Sequence, residues 1–387
     1  MVATFRVYKK TAPNGKLTLY LGKRDFVDHL SHVDLIDGVT IVDKDYLKNR
    51  KVFGQVIATF RYGREEDEVM GLHFFKELYL VSEQIYPLPD ESKGSTLTNL
   101  QERLLKKLGP NAFPFQFQIS SNAPNSVTLQ PASDESGAPC GVSYDIKIFV
   151  GDSIEDKSHK RSTLKMGIQK IQWAPTTPGQ QPCSIIRKDF LLSPGELELE
   201  VTLERQVFHH NNPIVVNMFV RNFCNKTVKR IRVSAVQNID ICMFASGHYR
   251  VTVACIDTQE GCPINPGSTL QKVVELCPCL EYNRGKRGVA CEGQLKKVDS
   301  RLASTTLLAD QEQRDVFGIV VSYSIKVKLF LGALGGEVVA EFSRENTVDA
   351  DNQLSDGGDD LVFQDFARVR LNPGMEDEVK SSVVSLA

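Results

Sequence analysis

Cys262, Cys277, Cys279 and Cys291 come nearest to metal chemistry in this 387-residue chain. Paired thiolates hold zinc when two pairs converge at finger or ribbon spacing. The intervals here match neither pattern and no histidine lies among the four, so no metal ion or other cofactor is expected. His209 and His210 adjoin, and neighbours on a strand face opposite ways, which argues against a shared metal there. The chain has no phosphate-cradling glycine loop, no His-Glu-x-x-His and no nucleophile elbow. It reads as a binding protein and not as an enzyme.

The other candidate chemistry is docking. Between Asp359 and Leu371 the chain sets Leu361, Val362, Phe363 and Phe366 beside Arg368 and Arg370, directly after a polar run from Arg344 to Gly358 with no packing face. Apolar and cationic side chains on a tether suit attachment to another surface. The expectation is a clasp that folds back on the N-terminal half and can be released. The alternative is a final strand of the last domain.

The elements that position these groups follow from composition and periodicity. With 41% hydrophobic and 24% charged residues the chain is long enough for two cores. A net charge of -2 argues against general nucleic-acid binding or membrane coating. The first residues lack the apolar stretch of a signal peptide, and no run of about eighteen apolar residues occurs, so a cytoplasmic protein with its nine cysteines reduced is expected. Val142, Tyr144, Ile146, Ile148 and Val150 alternate with polar residues. So do Leu197 to Leu203, Ile214 to Val220 and Ile319 to Leu329, the pattern of antiparallel strands covered on one side. Short strands between Gly, Pro and Asn turns indicate an all-β chain of two sandwiches.

One amphipathic helix is expected from Thr98 to Leu108, with Leu100, Leu104 and Leu108 on one face, a Thr98/Gln101 capping box, and Gly109-Pro110 as the stop. Lys106 and Lys107 complement its dipole. The Pro- and Gly-rich run between Ala174 and Pro182 marks a hinge. The expected units are residues 1–178, 184–343, and 344–387 as linker and regulatory tail. The long irregular stretch from Leu280 to Ser304 is expected to be functional.

Several motifs together resemble the arrestin family, of the visual and beta type. They are Lys9-Lys10 with Pro13-Asn14-Gly15-Lys16, the run Tyr20 to Asp28, Phe60-Arg61-Tyr62-Gly63-Arg64-Glu65, Leu100 to Leu104, Val127 to Pro131, and Phe366-Ala367-Arg368. They cover nearly the whole chain in the same order. The resemblance implies the two-sandwich arrestin fold and a cytosolic protein recruited to membranes by active, phosphorylated G-protein-coupled receptors, ending their signal to the G protein.

It also implies roles for single residues. Leu361, Val362 and Phe363 would pack on Val7, Tyr8, Leu100 and Leu104. Arg368 would enter a buried charged cluster with Asp25 and Asp299. Two departures stand out: Glu292 replaces an aspartate, and Gln169 replaces an arginine. The cluster would then carry surplus negative charge, so an acid must hold a proton or a nearby lysine or water must compensate. Lys9, Lys10 and Lys296 match phosphate binders, while Gln294 replaces a basic residue. Activation should therefore depend less on receptor phosphate.

Gly63, Arg64, Glu65, Glu66, Asp67, Glu68, Val69, Met70, Gly71 and Leu72 resemble the finger loop that enters the receptor cavity; a solvated hairpin tip is the bland alternative. Asp360, Phe363, Phe366 and Arg370 fit binding to the clathrin adaptor, which opens a second role as an endocytic cargo adaptor. The turn from Leu331 to Gly336 suits peripheral lipid contact or ordinary turn packing. Ser381, Ser382 and Ser385 are candidate phosphorylation sites.

Overall fold

The computed structural model describes residues 5–63, 65, 68, 72–89, 96–132, 135, 137–156, 159–173, 180–191, 193–243, 246–293, 295, 301–307, 318–331, 336–342, 366–367 and 383–386. The period-two segments all become strands. In the N-terminal half these are β1 (Phe5–Thr11), β2 (Leu17–Leu21), β3 (Asp25–Asp28), β4 (Ile36–Val42), β5 (Lys51–Arg61), β6 (Phe75–Tyr86), β7 (Ala112–Phe117), β8 (Val127–Leu129), β9 (Gly141–Gly151) and β10 (Leu164–Gln172). The C-terminal half holds β11 (Cys183–Asp189), β12 (Glu196–Leu203), β13 (Phe208–His209), β14 (Ile214–Asn222), β15 (Val228–Cys242), β16 (Ser246–Thr258), β17 (Thr269–Leu276), β18 (Ala290–Glu292), β19 (Gly318–Leu331) and β20 (Glu337–Phe342). Two short strands, β21 (Phe366–Ala367) and β22 (Val383–Leu386), come from the tail.

One N-terminal sheet runs β1-β2-β4-β7; the sheet facing it carries β6-β5-β9 and continues through β10 to β3. The C-terminal sheets run β11-β12-β14-β17 and β16-β15-β19-β20. The alternation is what makes them pack. Leu197, Leu199, Val201 and Leu203 are buried, as are Ile214, Val216, Met218 and Val220 on the adjacent strand. Burying a side chain of this size stabilises by about 1.5 to 3 kcal/mol against exposure.

Helix α1 (Lys44–Leu47), a single turn capped by Asp43, is an addition to the one helix expected. A four-residue turn is too short to leave a periodic signal. Helix α2 (Asn99–Leu108) is the expected one, and its capping box is formed. Leu100 and Leu104 pack with Val7, Tyr20, Val39 and Ala112, while fully buried Gln101 donates from Nε2 to the carbonyls of Gly38 (3.2 Å) and Phe115 (2.8 Å). The helix is therefore fastened to β4 and β7 by both apolar contact and hydrogen bonds.

The stretch from Leu280 onward stitches the two halves together. Strand β18 pairs with β8, Glu292 opposite Val127, so a strand from the C-terminal half extends an N-terminal sheet. The Gln237 amide pairs with the Ala290 backbone as a strand would: Nε2 donates to Ala290 O and Ala290 N–H donates to Oε1, both at 2.9 Å. Gln130 Nε2 donates to the carbonyls of Asn283 and Lys286, each at 2.8 Å. A buried amide side chain that satisfies a loop backbone fixes that loop where ordinary strand pairing ends.

Candidate functional site at the tail-binding edge and the domain junction

The outer edge of β1 is covered by the tail. Strand β22 pairs antiparallel with β1, Val383 opposite Tyr8 and Leu386 opposite Phe5. The expectation placed Leu361, Val362 and Phe363 against this edge; those three, with Asp360 and Arg370, lie outside the described residues. An open strand edge recognises backbone before side chains. Val383-Val384-Ser385-Leu386 is a β-prone run that attention to the aromatic cassette passed over. Ser385, one of the candidate phosphorylation sites, stands opposite Arg6.

Beneath this edge Val7 is fully buried among Leu100 and Leu104. Tyr8 is half-buried, and the Arg24 guanidinium stands 5.8 Å from its ring centroid.

Next along β1, Lys9 and Lys10 are exposed, and Lys9 Nζ lies 5.8 Å from the Tyr20 ring centroid. Burial raises the pKa of Asp145, a shift opposed by the positive charges of Lys165, Lys10 and Arg24. Lys147 stands opposite Lys165 in the ladder; burial and that neighbour lower its pKa. Lys10, Arg24 and Lys165 thus share the neighbourhood of Asp145, with Lys147 across the ladder from Lys165. Lys147 and Lys165 escaped the sequence reading, although their place on the polar face of alternating strands was the available signal. Lys296 lies outside the described residues.

At the junction, β10 and β3 pair in parallel, which puts Gln169 directly opposite Asp25. Gln169 and Glu292 are both buried. Ser304 donates from Oγ to Glu292 Oε1 at 3.1 Å, and His210 Nε2 lies 3.2 Å from that Oγ and 3.8 Å from Oε1. Strand β21 lies parallel on β13, Ala367 opposite His209, so the tail reaches the residue before His210. Asp299 and Arg368 lie outside the described residues.

The lysine next in sequence does not neutralise Asp25 or Glu292. Lys170 donates instead to Asp28 Oδ2, with Ser121 O at 3.3 Å and Asn125 Oδ1 at 3.4 Å. Adjacent strand residues face opposite ways, which separates the Lys170 ammonium from the Gln169 side.

Of the finger-loop segment, Gly63, Glu65, Glu68 and Leu72 are described; Arg64, Glu66, Asp67, Val69, Met70 and Gly71 are not. Glu68 joins the strands at the loop's base. It accepts from Arg61 Nη1 (2.5 Å) and the Phe74 N–H (3.3 Å) and pairs with His73 Nδ1 (3.0 Å). The His73 bond, then Arg61, outweigh burial and hold its carboxyl at about 2. Glu65 accepts from the Ala138 N–H at 2.5 Å, tying the loop to the neighbouring turn. Leu72 is exposed.

Residues 17–173 match the arrestin (or S-antigen) N-terminal domain family and residues 193–344 the arrestin C-terminal domain family. An arrestin homolog from Heliothis virescens is 60% identical over 341 residues, 88% of this chain and 89% of that protein. Phosrestin-2 of Drosophila melanogaster is 54% identical over 342 residues, 88% of this chain and 93% of its own. The lateral-eye arrestin of Limulus polyphemus is 45% identical over 391 aligned positions, 95% and 96% of the two chains.

The chain belongs to the arrestin family. Its all-β architecture, with two arrestin domains and, among the described residues, one helix of more than a single turn, is that of the family. Among the described residues of this arrestin no group of three or more metal-binding side chains converges, and no helix is long and apolar enough to cross a membrane. Two features lay beyond the sequence reading: the His210–Ser304–Glu292 contact and the buried Lys170–Asp28 pair. Their partners are up to 142 positions apart in sequence; the pairing of β3 with β10 sets Asp28 beside Lys170, and the backbone bonds of β18 to Arg301 and Ala303 bring Ser304 to Glu292.

Proposed function

We propose that this arrestin binds active, phosphorylated G-protein-coupled receptors, blocks their coupling to the G protein and so ends the signal, with release of the tail as the gate. The observation that carries this reading is the occupied edge of β1: a tail strand lies on the same strand that presents exposed Lys9 and Lys10. A phosphorylated receptor segment, with roughly -1.5 to -2 charges per phosphate, would compete for that strand and its cations. The paired tail strand is short and costs entropy to order, so it is suited to displacement. The relatives named phosrestin and lateral-eye arrestin agree with a role in sensory receptor signalling.

Phosphate dependence is proposed to be shallow. Gln169 is neutral where a cation would otherwise sense phosphate, and Lys9 and Lys10 lie exposed on β1. The test is sedimentation with membranes holding active receptor, with and without receptor phosphates, using the full chain, a chain truncated before Asp359, and Gln169→Arg. Truncation is expected to raise binding to unphosphorylated receptor; a steep phosphate preference unchanged in both variants would overturn the reading.

A clathrin-adaptor role is secondary. Phe366 is engaged on β13, so adaptor binding through Phe366 and its neighbours requires the same release. Peripheral lipid contact through the turn after β19 belongs to the same proposal; residues 332–335 lie outside the described set.

A further inference from the structure

We propose that Glu65 and Glu68, the described acidic residues of the finger-loop segment, act inside the chain. They tie the segment to its own hairpin base and to the neighbouring loop, and these ties set the threshold for its engagement by a receptor.

Glu68 closes the hairpin just past its last rung. Strand β5 ends at Arg61 and β6 begins at Phe75, and the two stand directly opposite in the ladder. Beyond that pair, Glu68 Oε1 accepts from Arg61 Nη1 at 2.5 Å and from the Phe74 N–H at 3.3 Å, while Oε2 pairs with His73 Nδ1 at 3.0 Å. One carboxylate thus joins both sides of the hairpin. The Arg61 and Glu68 side chains are 12% and 13% exposed, so their attraction is less screened than that of a surface pair. The Phe75 ring, its centroid 5.1 Å from the Arg61 guanidinium, steadies the same cation.

Glu65 makes the second tie. Its Oε2 accepts the Ala138 N–H at 2.5 Å, and its carbonyl accepts the Glu68 N–H at 3.1 Å, so the two carboxylates belong to one backbone turn. The receiving loop is shaped for this contact. Gly137 has a φ of +93°, and a Cβ there would stand 2.8 Å from Glu65 Oε2 and 2.9 Å from Glu65 Cβ. Glycine leaves the carboxylate room to reach the amide. Earlier in the same loop, Glu135 pairs with Arg287 of the C-terminal half at 3.0 Å. The tie therefore runs from the segment, through the connection between β8 and β9, to the other side of the domain junction.

Both carboxylates have their donors within the chain. Moving the segment into a receptor would strip Arg61 of its carboxylate while its side chain stays shielded, which opposes the movement. A partner shifts that balance only through its own preference for the released form. The threshold rests on the receptor-binding role proposed above, whereas the ties exist without it.

Amide hydrogen exchange in the full-length protein, without receptor, tests the ties. Glu65→Ala is expected to speed exchange at Ala138, and Glu68→Ala at Phe74, each by about tenfold or more, with the C-terminal sandwich unchanged. Unaltered exchange at both amides would overturn the proposal. Sedimentation with membranes holding active receptor tests the threshold. Both variants should bind more than wild type, by about threefold or more; weaker binding would show that the carboxylates contact the receptor instead, and would overturn it too. If wild type itself does not bind, the receptor reading fails while the exchange result still decides the ties. Should Glu68→Ala not fold, Glu65→Ala carries both measurements.

Discussion

Lys170 Nζ and Asp28 Oδ2 meet inside the first sandwich with their side chains 1% and 5% exposed. The pair joins β10 to β3, the parallel ladder that also sets Gln169 opposite Asp25. Burial lowers the lysine's pKa and the Asp28 contact opposes that shift. Removing one partner strands a charge in a low-dielectric interior. Lys170→Met and Asp28→Leu are each expected to cost about 3 to 5 kcal/mol, with the double variant recovering most of the loss. Denaturant unfolding of the three proteins checks this; additive losses would show that the two side chains act independently.

Asp34 gives a pH dependence on the acid side. Burial would raise its pKa, but hydrogen bonds from Lys23, the Val27 N–H and His29 prevail and hold it at about 2. A depressed folded pKa contributes stability above the unfolded value of 3.8, lost as pH falls through about 2. Allowing for its solvent contact, the contribution is about 1 kcal/mol. Asp34→Asn should be less stable than wild type at pH 7 and nearly equal to it near pH 2, as read by thermal melts.

Gln101 anchors α2. Substituting Gln101→Ala leaves the Gly38 and Phe115 carbonyls without this donor and removes half the capping box. The expected cost is about 2 to 4 kcal/mol. Faster hydrogen exchange across residues 99–108, with the C-terminal sandwich unchanged, is the diagnostic result.

Gln172 holds the chain where it returns from the C-terminal half. Its Nε2 donates to Leu307 O at 2.7 Å, and Leu307 N–H donates to its Oε1 at 2.8 Å. Gln172→Glu keeps the acceptor and loses the donor. It should cost about 1 to 3 kcal/mol and speed exchange of the Leu307 amide. Unaltered exchange there would show that the amide does not set this contact.

Much of the architecture was legible because burial and periodicity coincide. Leu197 to Leu203 and Ile319 to Leu329 alternate in sequence and bury alternate side chains in the structure, and Thr98 with Gln101 announces α2. The site was legible only where a motif is local. Lys9 and Lys10 lie adjacent on one strand. The His210–Glu292 contact joins residues far apart in sequence, and no local periodicity announces it. The tail shows the same limit in another form. The aromatic cassette drew the eye to Leu361 to Phe363, which lie outside the described residues, while the plainer run from Val383 to Leu386, which pairs with β1, gave no comparable signal.

The β22 pairing has a consequence for the protein on its own, apart from any receptor. With Val383–Leu386 gone, Phe5 to Tyr8 would present a row of bare amides and carbonyls, the kind of border through which sheets self-associate. The last few residues therefore double as a cap against fibre-like stacking. A chain shortened at its end should be judged for solubility before it is judged for activity.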